Sequence, residues 1–113
     1  MLTEKDYCDY DTCVALKELG YPTKMTFVNE FGSIEIPINS GLIQLYEAQK
    51  WLRDEKRIHI VLTYHSQIGW YEYSVEKDDN LIAGGSAFPT YEDALSTAIY
   101  MAVEHLKEES NGN

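Results

Sequence analysis

Apolar residues recur along this chain at two spacings, and the switches between them predict its elements. Tyr91, Leu95, Ala98, Ala102 and Leu106 form one stripe of helical period, widened by Ala94, Ile99 and Val103. A helix over 91–107 that serves as the spine of the core is expected. Two further helices are expected over 10–19 and 45–56. All three open alike, with a tyrosine followed by a carboxylate (Tyr10-Asp11, Tyr46-Glu47, Tyr91-Glu92) that faces the positive end of the helix dipole. Asp9 and Thr90 are good N-caps, and Thr90 with Asp93 approximates a capping box. Leu45 caps poorly, so the start of its helix has to be held by packing. Gly20 and Pro22 stop the first helix, and Tyr21 is expected to fold back on Leu16.

Between the helices the period drops to two. Met25, Phe27, Ile34, Ile36 and Ile38 alternate with polar partners around Asn29-Glu30-Phe31-Gly32, which reads as a hairpin. Pro37 cannot donate to a ladder and marks a strand edge or end. Strands over 57–65 and 70–77 flank Ser66-Gln67-Ile68-Gly69. Taking these four residues as the loop pairs Tyr64 with Tyr71, Leu62 with Tyr73 and Ile60 with Val75 on one apolar face. The other face then carries His65–Trp70, Thr63–Glu72, Val61–Ser74 and His59–Glu76. Both faces are chemically consistent, and a one-residue slip would scramble them. A third strand over 81–87 follows Asp78-Asp79-Asn80, and Gly84-Gly85 suggests a bulge in it. The order is α-β-β-α-β-β-β-α: an α+β fold in one domain over 1–108, with antiparallel pairing and helices mainly on one face. Residues 109–113 carry no apolar side chain and are expected to fray.

Composition narrows the function. The 113 residues hold 19 Asp+Glu against 9 Lys+Arg, a formal charge of −10, which opposes general affinity for nucleic acid or anionic lipid. No apolar run is long enough to span a membrane. Met1-Leu2-Thr3-Glu4-Lys5-Asp6 has neither a basic n-region nor an apolar h-region, so no secretory leader and a cytoplasmic location are expected. Cys8 and Cys13 are too close in sequence for a useful disulfide and have no neighbouring His for zinc, so reduced thiols are expected. Gly84-Gly85-Ser86 lacks the lysine of a phosphate cradle. His59 and His65 share a strand face, but at ~3.3 Å per residue they lie about 20 Å apart, too far for one metal. No catalytic residue, metal or cofactor is expected. A small enzyme using Cys8 or Cys13 would require His59, His65 or His105 within hydrogen-bond reach of the thiol.

Three resemblances accompany this reading. Leu45-Tyr46-Glu47-Ala48-Gln49-Lys50-Trp51-Leu52-Arg53, the strand with Ile58-His59-Ile60, and Thr90-Tyr91-Glu92-Asp93-Ala94-Leu95 together resemble a group of small bacterial, sometimes prophage-linked, proteins to which no activity attaches. Residues 70–108, three strands and then Thr90-Tyr91-Glu92-Asp93-Ala94-Leu95-Ser96-Thr97-Ala98, are similar to the end of HicB-type antitoxin domains. That resemblance implies a protein that binds and inhibits a basic RNA-cleaving toxin. The α-β-β-β-α order from residue 45 also resembles double-stranded-RNA-binding domains. Those place lysines where this chain has Glu92 and Asp93, so direct RNA binding is not expected.

The expected function is a non-catalytic protein-interaction module, with mobile-element association implied by the first resemblance. The alternative is an acidic inhibitor of a basic nuclease, antitoxin- or immunity-like or a DNA mimic, and it requires carboxylates gathered on one face. Nine tyrosines with Trp51 and Trp70 supply interface-type surface. The candidate surface is Trp70, His65, Glu72, Thr63, His59 and Glu76, which either meets a partner or is covered by the first hairpin or first helix. A protein partner is expected, with no nucleic acid or membrane, and a homo-oligomer through a strand edge is compatible with this.

Overall fold

The local signals act where they were expected. A computed structural model describes residues 3–37 and 42–111. Met1, Leu2, Ile38 of the second strand, and Gly112 and Asn113 of the tail lie outside the described residues. Helix α1 (Tyr10–Glu18) is capped by Asp9, whose carboxylate accepts from the Thr12 amide at 2.7 Å. It ends in a Schellman turn: Gly20 takes φ +111°, its amide donates to the Lys17 carbonyl, and the Tyr21 amide donates to the Leu16 carbonyl. Helix α2 (Leu45–Lys56) has no side-chain cap. Its start is held instead by the buried Leu45 and a bridge between Tyr7 and Gln44. Helix α3 begins at Tyr91, with the Thr90 hydroxyl accepting from the Asp93 amide at 3.1 Å.

The far end of α3 corrects the expectation. The helix runs through Asn111, four residues past the expected end at 107. Glu109 is the reason: it receives Lys77 Nζ at 2.9 Å and lies 2.9 Å from His105 Nε2, one helical turn earlier.

Five strands form two antiparallel sheets: β1 (Lys24–Asn29) with β2 (Gly32–Pro37), and β3 (Ile58–His65), β4 (Trp70–Lys77) and β5 (Asn80–Phe88) in the order β3-β4-β5. The β3–β4 register is the expected one throughout, from Ile58–Lys77 to His65–Trp70. Asp78 and Asp79 are both left-handed (φ +51° and +67°), the signature of a two-residue hairpin turn between β4 and β5. The β4–β5 register slips on either side of Tyr73–Gly85, which places the expected irregularity. The first hairpin pairs Met25 with Ile36 and Phe27 with Ile34, and Asn29 Oδ1 accepts from the Phe31 amide in its turn.

The core lies between α3 and the inner face of the three-stranded sheet, with α1 and α2 closing its flanks. Every member of the expected α3 stripe is buried except Tyr91. Each fully buried Leu or Ile there contributes roughly 1.5–3 kcal/mol. Gln49 Nε2 of α2 donates to the Ile60 carbonyl at 3.2 Å, linking that helix to β3. Among the described residues the first hairpin shares no packed layer with the body, and the radius of gyration is 16.1 Å where roughly 13 Å suits a compact chain of this length.

Candidate functional site

Cross-strand pairing sorts the β3–β4 side chains into two faces. Ile58, Ile60, Tyr73 and Val75 are buried beneath the helices. The outer face carries the whole candidate surface: His65 beside Trp70, Thr63 beside Glu72, and His59 beside Glu76. Neither proposed cover is in place. Among the described residues α1 packs on α3 and the first hairpin pairs chiefly within itself, so neither forms an extensive layer on this face.

Trp70, His65, Glu72 and Ser74 are half-buried, whereas His59, Thr63 and Glu76 are exposed. Cross-strand neighbours contribute to this shielding, His65 lying opposite Trp70 and Thr63 opposite Glu72. His65 Nε2 lies 3.3 Å from Glu72 Oε1, a diagonal pair that orients the imidazole beside the indole. Two apolar residues outside the expected set belong to this face. Val61 is 46% exposed, and Leu81, opposite Glu76, is 68% exposed. Alternation already placed Val61 there. Leu81 could not be placed from sequence because the bulges decide the β5 register.

The inner face departs from expectation at one end. Tyr64, expected to extend the buried apolar face, is 53% exposed. Helix α3 packs more on β4 and β5 than on β3, and Tyr91 at its start meets Tyr71 rather than Tyr64 on the flanking strand.

The thiols are not brought to the histidines. Cys13 Sγ accepts from the Ile43 amide at 3.3 Å and lies 3.7 Å from the Cys8 carbonyl. Both thiols are free and buried. Burial, with Cys13 and Asp9 nearby, pushes the Cys8 thiol up to about 12, so it stays protonated at neutral pH. His65 pairs with Glu72 and His105 with Glu109. Among the described residues no group of three His, Cys, Asp or Glu is placed to hold a metal, and no helix is long and apolar enough to cross a membrane. Gly84-Gly85 is a seat for the Tyr73 ring: a Cβ built on Gly85 would lie 2.6 Å from Tyr73 Cε2.

Fold and face together define an acidic α+β domain with one side of its antiparallel sheet left open. Compared with known proteins, the chain matches no family model, no curated protein and no solved structure.

Proposed function

We propose that the protein is a non-catalytic interaction module that docks a protein partner on the outer face of its three-stranded sheet. The carrying observation is that open face, with Trp70, Val61 and Leu81 presented between ionisable side chains. Apolar side chains interspersed with polar ones along a sheet face without an extensive covering layer are the kind of surface that marks a protein contact. Two buried thiols, that of Cys8 held protonated, and the pairing of His65 and His105 with carboxylates support a binding role over bond-making chemistry.

The acidic-inhibitor reading is the narrower alternative. Carboxylates occur on all three α-helices and in both sheets, and Glu35, Asp54, Asp78, Glu104 and Glu109 are each paired with a Lys or Arg. That spread does not favour imitation of a nucleic-acid backbone.

A photo-crosslinking residue placed at Thr63, in cells that naturally make the protein, tests the proposal. One saturable adduct with another protein is expected, lost in Trp70→Ala and Val61→Glu variants whose melting is unchanged. A crosslinker at Glu108 on α3 is expected to give none. No adduct from position 63, with a strictly monomeric protein in sedimentation, would overturn the reading.

A further inference from the structure

Around the sheet end from Trp70, Tyr64, Tyr71 and Tyr91 touch in series. Their ring centroids are 4.8 Å and 5.9 Å apart, with interplanar angles of 44° and 88°. Tyr64 and Tyr91 are 53% and 44% exposed, so the ladder shows ring surface to water. Beside it the β3–β4 loop forms a recess of about 340 Å³ lined by Tyr64, His65, Ser66, Gln67 and Ile68.

Charge is one-sided here. The segments that build this end, 64–72 and 88–93, contain neither Lys nor Arg; Glu92 and Asp93 follow Tyr91 directly, while Glu72 belongs to the outer face beside His65. Arg57, Lys77 and Lys107 lie toward the opposite end, where β3 begins and α3 finishes, each paired with a carboxylate. Beyond Tyr91 a groove of about 440 Å³ carries Glu4, Asp9, Glu92 and Asp93 with a single lysine, Lys5, beside the exposed Tyr10.

We propose that the tyrosine ladder is the docking site for an arginine-bearing segment of a basic protein partner. This rests on the interaction-module reading and adds a second contact, on the inner-face side of the sheet end beside Trp70, together with the chemistry that contact selects. A guanidinium is planar, weakly hydrated and cationic, so it stacks on tyrosine faces while the neighbouring carboxylates neutralise it. A strongly hydrated ammonium gains less from the same rings. Nucleic acid is repelled by this end, and a second copy brings a further −10 with it.

The test titrates hexa-arginine amide and, separately, hexa-lysine amide into the full chain at about 0.15 M salt, where the screening length is roughly 8 Å. Binding is followed by calorimetry and by NMR shifts of the tyrosine rings. The arginine peptide is expected to bind about tenfold more tightly than the lysine peptide, with shifts centred on Tyr64, Tyr71 and Tyr91. Tyr64→Leu, which keeps apolar bulk and removes the π face, and Tyr91→Ala are each expected to weaken it several-fold. Tyr46→Ala, at an exposed tyrosine of α2, is expected to leave binding unchanged. Equal affinity for both peptides with indifferent tyrosine variants, or no binding, overturns the proposal, as does self-association of the chain at this end without peptide. An adduct from position 63 alongside a failed titration would remove this inference and leave the sheet-face reading standing; failure of both would remove both.

Discussion

Gly85 lies directly across the ladder from Tyr73, and the Tyr73 ring rests where a Cβ would be. Tyr73 is buried and packed against Phe88 at 5.7 Å, so the ring has little room to retreat. Gly85→Ala is therefore expected to destabilise the fold by roughly 1–3 kcal/mol, the usual cost of overpacking, measurable by urea denaturation. Gly84→Ala is the control, since its Cβ would meet only a carbonyl at an ordinary 3.5 Å. Burial also governs the thiols. Because Cys8 is held protonated and both cysteines are buried, iodoacetamide at pH 8 is expected to leave the native chain unlabelled. In urea it should add two groups, counted by mass spectrometry, and rapid native labelling would contradict the buried placement.

Individual elements end where side chains satisfy their terminal groups. Asp9, Gly20 and Thr90 act through bonds three or four residues away, which is why the corresponding helix ends were legible from sequence alone. The C-terminus of α3 is held by Lys77, 32 residues distant, and no local pattern could reveal that partner. The lysine, its hydrogen bond foremost, and His105 lower the Glu109 pKa below the ordinary glutamate value. A lowered folded-state pKa stabilises above the unfolded value and is lost as pH falls through the folded one. The thermal midpoint of the native protein is thus expected to exceed that of Glu109→Gln at neutral pH. The gap should persist down to about pH 4.3 and close below it, as paired melting curves at successive pH values would show. An equal gap at pH 3 and pH 7 would mean that the carboxylate charge is not what holds the helix end.

Across the whole molecule, the sheet face and the aromatic end of the proposed binding surface were legible to different degrees. The outer face followed from alternation, because cross-strand pairs on both faces had to make chemical sense at once, and the observed register agrees pair for pair. That nothing covers it depends on where α1 and the first hairpin dock, which is a matter of non-local packing. The tyrosine ladder was hidden for the same reason. Tyr64 and Tyr71 read as core, and only the placement of α3 over β4 and β5 leaves Tyr64 exposed and Tyr71 half-buried.

By itself the sequence determined the α+β order, most of the helix ends and the central hairpin register, because capping, helical period and strand alternation act over a few residues. The tertiary structure alone decided that the strands divide into two sheets, that the Trp70 face stays open, that Tyr64 and Tyr91 reach water and that α3 continues to Asn111. Those outcomes depend on contacts between residues far apart in the chain. Their energies are set by the surfaces that meet on folding, which the spacing of residues along the chain does not record.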